Sequence, residues 1–448
     1  MKTTLQIIAA SLMLILLYLG YTTYPKLDLI TGFSTKSIAS CHFIDNRCQE
    51  LIERTDNNIT LIGLAKNVIN DKEHSVTASV YGLKERKAIF RPGLGAMLID
   101  DNYDLSKPYL TPHRAKSTST LPFPYGNSEP RDTVFPTINY TELNRAVAGA
   151  FNSKTHTNYN SRAVLVIYKD KIIAEKYESG FNKNSLILGW SMTKSVTSTL
   201  YGILQKQGKL DIYKPAPVPE WKHDRRSKIT ISDLLHMNSG LQWDENYSEI
   251  SDATTMLFLD KDMSRRQLVK PAEFEPNTRW KYSSGTTNLL SGILRKQFPT
   301  YQQYLDFWYS ALIDKIGMSS MLIETDMAGN YVGSSYGWAT ARDWSKFGLL
   351  YLHKGNWNGE QILDKDWVRY SATPTNTSNG AYGAHFWLNA GKFYKDAPQD
   401  MFYCSGFQGQ KIFIIPSYDM VIVRMGLNEK EDFNVNDFIK NIISSVKK

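Results

Sequence analysis

Two hairpin signatures stand at opposite ends of one long segment, and together they most narrow the folds open to this chain. Arg162-Ala163-Val164-Leu165-Val166-Ile167-Tyr168 and Lys171-Ile172-Ile173-Ala174-Glu175-Lys176-Tyr177 are apolar, β-branched runs separated only by Lys169-Asp170. Lys411 to Ile415 and Met420 to Arg424, joined through Pro416-Ser417-Tyr418-Asp419, repeat the pattern near the other end. Helical periodicities lie between them, and a final one puts Phe438, Ile439, Ile442, Ile443 and Val446 on one face. Strands from both ends with helices between predict an α/β (α+β) domain. Its antiparallel sheet would draw strands from both ends of the domain, with flanking helices and a helical insert.

With 448 residues, 42% hydrophobic and 12% aromatic, the chain can bury a large core, which argues against disorder. The 52 Lys and Arg against 44 Asp and Glu leave a charge of +8 that is scattered rather than gathered with aromatics. That pattern speaks for solubility or mild attraction to anionic surfaces, and against nucleic-acid binding. Residues 1–30 read as an export segment: Lys2 precedes an almost wholly apolar stretch from Leu5 to Tyr21, and no small-x-small cleavage site follows. The expectation is an uncleaved membrane anchor with the bulk of the chain in the periplasm or outside the cell. A cleaved signal, leaving a secreted protein, is the other reading. Cys41 and Cys48 are seven apart and predict a disulfide in an oxidising compartment. A metal site there is disfavoured, because Cys41 and His42 are adjacent and a fourth ligand is missing.

Residues 35–110 read as a small N-terminal module, with a strand at Ser75 to Val80, a turn at Gly82 and a return through Ala88-Ile89-Phe90-Arg91. Residues 111–132, rich in Pro, Ser and Thr, read as a linker, and 133–448 as the main domain.

The chemistry centres on Ser191-Met192-Thr193-Lys194, where a lysine follows a serine by one helical turn on the same face. A serine hydroxyl is a poor nucleophile until a neighbour takes its proton, and a neutral lysine can do so. The spacing alone is weak, since Ser444 to Lys447 and Ser445 to Lys448 share it in a lysine-rich tail. Ser191 differs in opening a helical run through Val196, Leu200, Ile203 and Leu204 that stops at Gly208, although a plain N-cap serine fits there too. Tyr282-Ser283-Ser284-Gly285 leads into another helical pattern, where a tyrosine is available for proton transfer or simply packs its ring. Cys404-Ser405-Gly406-Phe407-Gln408-Gly409-Gln410 precedes a strand, and its glycines allow a backbone N–H close to a ligand. A simple loop entering a hairpin is the plain alternative.

In this order and at these separations the three segments resemble the penicillin-binding-protein and class C β-lactamase superfamily of serine hydrolases. The likeness spans about 130 to 445 and includes Leu234-Leu235-His236-Met237-Asn238-Ser239-Gly240-Leu241 and Gly337-Trp338-Ala339-Thr340-Ala341-Arg342-Asp343. Within it the chain looks most like the esterase and 6-aminohexanoate-dimer hydrolase branch. The N-terminal module, with its cysteine pair and Gly93-Leu94-Gly95-Ala96, looks like that of exported bacterial serine hydrolases. The resemblance implies a β-lactamase/transpeptidase-like fold, Ser191 as nucleophile, Lys194 and Tyr282 as proton-transfer groups, and the N–H groups of Ser191 and Phe407 as oxyanion hole. It implies no metal and no cofactor.

Two departures bear on substrate. Ser284 stands where the second motif has asparagine, and Cys404 where the third, with Ser405 and Gly406, has lysine or histidine. A thiol cannot make an ammonium's charge-assisted bonds to a carboxylate. The expectation is therefore an ester or neutral amide as small-molecule substrate. A β-lactamase or D-Ala-D-Ala peptidase, with Arg342 or Arg424 as stand-in cation, is the first alternative. A non-catalytic binding protein retaining the fold is the second. Cys404 reads as a small apolar filler or as a reactive thiol.

Overall fold

The computed structural model describes residues 2–115, 119–126, 128–154, 156–428 and 433–447. The side chains of Lys2, Ile15, Leu16, Leu17 and Leu19, linker residues Ser117 and Thr118, and Lys448 lie outside the described residues. The chain forms two compact units: residues up to Lys107 with Asp244–Asp262 and Asp326–Ala328, and the remaining residues from Pro108.

The first unit holds helix α1 (Lys2–Asp45) and an antiparallel sheet of β1 (Lys66–Asn70), β2 (Ser75–Val80), β3 (Leu83–Arg91) and β4 (Gly95–Ile99). The second half of α1 buries Ile38, Ala39 and Ile44 and packs against β2, β3 and β4, which contribute Val76, Ala78, Ala88 and Ala96. The helix Asp252–Phe258 joins this core, with Phe258 5.3 Å from Phe33 and pressed on Gly32, where a Cβ would lie 3.0 Å from its carbonyl.

Two expectations about this unit are not borne out. Among the described residues no helix is long and apolar enough to cross a membrane. The apolar N-terminal stretch is the exposed first part of α1, with Leu5 and Tyr21 facing outward, and it runs on without a break into the part buried in this unit. Nor are Cys41 and Cys48 joined in a disulfide. The chain turns back at Asn46 (φ 53°), so the Arg47 guanidinium fills the space beside Cys41: Nη2 donates to Sγ at 2.8 Å. Asp45 and Asp56 hold Arg47 there, and Cys48 faces solvent. His42 pairs with Asp71 at 2.8 Å, and the described residues contain no cluster able to hold a metal.

The second unit contains, in chain order, α2 (Tyr140–Ala148), β5 (Ser161–Tyr168), β6 (Lys171–Tyr177), α3 (Thr193–Lys206), α4 (Ser284–Arg295), α5 (Ala341–Leu352), β7 (Trp387–Leu388), β8 (Phe402–Gly406), β9 (Gln410–Ile415), β10 (Met420–Gly426) and α6 (Val435–Ser444). Its antiparallel sheet has the order β7-β8-β9-β10-β5-β6. The two hairpins meet edge to edge, Val423 opposite Leu165 and Val421 opposite Ile167. One face is covered by α2 and α6, which bury Leu143, Val147, Ile439 and Ile442 against Val166, Phe413 and Ile422. Helix α5 crosses the other face with Gly348 against Ile412 and Val421, where a Cβ would meet both at 2.8 Å.

Helix α3 is buried from Thr193 to Leu204 although Ser and Thr, poor helix formers, fill much of it. Its hydroxyls are satisfied by neighbours: Ser195 donates to the His385 carbonyl at 2.6 Å, Ser198 to that of Ala384 at 3.0 Å, and Thr199 bonds Tyr351 at 2.8 Å. Tertiary packing overrides local propensity here, and it fixes the helix that carries the serine and lysine.

Candidate active site

The chain enters α3 through a 3₁₀ turn, Trp190–Met192, in which Trp190 holds φ at +46°. A bulky residue in the left-handed region is strained, and such strain persists only where surroundings enforce it. Thr193 supplies part of that enforcement, its hydroxyl donating to the Trp190 carbonyl and accepting from the Gly337 N–H. The turn sets Ser191 half-exposed at the mouth of the helix, with Lys194 beneath it at 1% exposure.

Lys194 Nζ contacts three oxygens: Ser191 Oγ at 2.9 Å, Ser284 Oγ at 2.9 Å and the Ser334 carbonyl at 3.0 Å. An ammonium uses its three protons there; a neutral amine instead accepts one from a hydroxyl. The Tyr282 ring lies against the same nitrogen, 4.9 Å from Nζ to its centroid. Ser283 and Ser284 divide their work: Ser283 caps α4 by accepting from the Thr286 N–H and donates to Gln267, whereas Ser284 turns to the lysine. Sequence reading missed the Ser334 carbonyl, because a backbone acceptor leaves no side-chain signature. Gly333 before it is the one available hint: a Cβ there would lie 2.5 Å from Thr197 Oγ1 on α3.

The third segment is not a loop. Cys404, Ser405 and Gly406 form the end of β8, and the turn begins at Phe407. Gly406 runs against Gly189, whose carbonyl oxygen would be 2.1 Å from a Cβ at this position, so only glycine permits the approach. Phe407 then stands edge-on to Trp190, the residue before Ser191, with the two rings 5.4 Å apart. Like Ser191, Phe407 has a non-glycine neighbour in the left-handed region, Gln408 at φ +59°.

Cys404 is buried, and burial pushes its thiol up to about 12, which leaves it an inert filler rather than a nucleophile. The two arginines considered as stand-in cations are committed elsewhere. Arg342 makes a two-point ion pair with Glu175 at 2.8 Å and reaches Glu129. Arg424 is 1% exposed and donates to Ser161 and to the carbonyls of Gly409 and Tyr159. His385, buried beside α3, donates from Nδ1 to the Leu235 carbonyl and accepts at Nε2 from the Thr287 hydroxyl; burial lowers it to about 3, so it stays neutral and acts as a strut.

A serine and lysine one helical turn apart, with a tyrosine ring against the lysine, fit a serine hydrolase of the β-lactamase and transpeptidase type. The beta-lactamase family pattern matches residues 151–437, well over half the chain, and the chain belongs to that family. The 6-aminohexanoate-dimer hydrolase of Paenarthrobacter ureafaciens is 23% identical over 288 residues, covering 59% of this chain and 71% of that protein. Among solved structures, a family VIII carboxylesterase superposes with a TM-score of 0.56 at 15% identity, over 71% of this chain and 99% of that one. A class C beta-lactamase in complex with cefoxitin does so with a TM-score of 0.53 at 15% identity, over 69% and 100%. The chain is thus a β-lactamase-fold serine hydrolase by family, among esterase, amidase and lactamase relatives.

Proposed function

We propose that the protein hydrolyses an ester or amide through an acyl-enzyme on Ser191. The observation that carries this reading is the 2.9 Å contact between Lys194 Nζ and Ser191 Oγ at the buried foot of the turn. Neutral Lys194 takes the Ser191 proton as Oγ attacks the carbonyl carbon. The N–H groups of Ser191 and Phe407 bond the oxyanion that forms. Collapse of the tetrahedral species expels the alcohol or amine, which takes its proton through Lys194 and Tyr282; water then repeats the attack on the acyl-enzyme. Ser284 holds the lysine in place of the expected asparagine. Location outside the cytoplasm belongs to the same proposal and rests on the order of Lys2 and the apolar residues that follow it.

Intact-mass spectrometry of the full chain tests it, after exposure to a fluorophosphonate, to p-nitrophenyl butyrate and to a penicillin. One fluorophosphonate adduct, absent from Ser191→Ala, with ester turnover that falls roughly 10²–10⁴-fold in Lys194→Ala, is the expected result. A folded protein that takes no adduct overturns catalysis and favours a binding role. A long-lived penicillin adduct favours the cell-wall enzymes instead.

A further inference from the structure

A second serine–lysine contact lies close to the first. Ser405 of β8 and Lys411 of β9 are cross-strand partners, so their side chains leave the same face of the sheet. Lys411 Nζ donates to Ser405 Oγ at 2.7 Å, and both residues are half-buried. Cys404, one residue earlier, projects from the opposite face. The other neighbours of Lys411 on its face are the Tyr403 ring, 5.2 Å from Nζ, and Arg424, its register partner in β10. Among the described residues no carboxylate pairs with either cation. A half-buried ammonium bonded to neutral groups and facing a like charge is under-compensated, and an anion would relieve it.

Its position relates it to the reaction. Ser405 precedes Phe407 by two residues, about 7 Å along an extended strand from the N–H assigned to the oxyanion. An aromatic band leads from Tyr282, beside Lys194, to Trp387 at 5.4 Å and on to Tyr403 at 6.5 Å, with Lys411 over Tyr403. We infer that Lys411, steadied by Ser405, receives a carboxylate of the substrate whose apolar chain lies along Tyr282, Trp387 and Tyr403. The cation absent at Cys404 is supplied from the neighbouring strand. The preferred substrates are therefore esters or amides with an anionic end a few bonds from the scissile carbonyl. This assignment rests on the acyl-enzyme reading above.

The test compares the full chain on p-nitrophenyl hydrogen adipate against its methyl ester, and on 4-acetoxybenzoate against its methyl ester. The first pair puts the charge on the acyl side and the second on the leaving group. In one pair the anionic member is expected to have at least tenfold the kcat/KM of the neutral one. Lys411→Gln should erase that ratio and Lys411→Arg keep it. Burial, with Arg424 nearby, lowers Lys411 to about 8. It is charged below that pH, so the ratio should be present at pH 7 and fall as the pH rises through about 8. Tyr403 is raised by burial and stays neutral, and burial lowers Arg424 to about 9, above Lys411; Lys411→Gln leaves Arg424 in place and should remove the step near pH 8, and Lys411→Arg should flatten it. If both neutral esters turn over with a Ser191 adduct while neither ratio exceeds one nor responds to Lys411→Gln, the carboxylate site is overturned and the hydrolase stands. If no ester turns over and Ser191 takes no fluorophosphonate, the hydrolase reading fails and the site falls with it.

Discussion

The cluster of Ser191, Lys194, Tyr282 and Ser284 was legible because side chains, whose chemistry the sequence declares, make its contacts. The residues that escaped notice work through the backbone: the Ser334 carbonyl on the lysine, and Gly189 against Gly406. The cysteine pair misled for a related reason. Spacing tells whether two sulfurs can meet, not which way a helix points one of them, and α1 points Cys41 at Arg47. The Gly406 contact gives a sharp expectation. In Gly406→Ala the new methyl must displace the Gly189 carbonyl and with it the Trp190–Ser191 turn, so kcat should fall roughly 10²–10³-fold, the scale of a lost oxyanion donor. Steady-state kinetics alongside an unchanged far-ultraviolet circular dichroism spectrum would check it, and an active variant would remove Phe407 from the proposed hole.

At the scale of elements, both hairpins and the last helix could be read from pattern alone, since buried strands such as Ser161–Tyr168 are apolar over most of their length, here from Ala163 on, and α6 keeps a strict helical stripe. Short strands could not: Lys66–Asn70 carries lysine and asparagine, and Trp387–Leu388 is two residues long. Helix α3 is the element on which the site depends, and it is positioned by close approach as much as by apolar packing. A Cβ on Gly202 would lie 2.5 Å from the Trp367 ring. Gly202→Ala should therefore lower stability by about 1–3 kcal/mol despite the better helix propensity of alanine. Urea unfolding monitored by tryptophan fluorescence would show this as a lower midpoint; a stabilised variant would mean that Trp367 yields freely.

For the whole molecule, the buried His385 and the half-buried His236 tie stability to pH. Burial lowers His236 to about 4 and His385 to about 3, both below the ordinary value of 6.5. The unfolded chain therefore binds more protons, and the stability each contributes is present above pH 6.5 and lost as the pH falls towards those values. The loss is about 1.4 kcal/mol per pH unit for each histidine. Thermal melts from pH 7 to 4.5 should show Tm falling steadily, with a shallower slope in His236→Asn; a flat profile would contradict the buried neutral state. The first unit has a different kind of dependence. Its opening residues up to Lys107 are made first, yet Asp244–Asp262 and Asp326–Ala328 complete it much later in the chain. At ordinary rates of protein synthesis the ribosome delivers those pieces on the order of ten seconds or more afterwards. During that interval the face of α1 that meets Phe258 has nothing of its own to cover it, so this unit closes only after a large part of the second has been made.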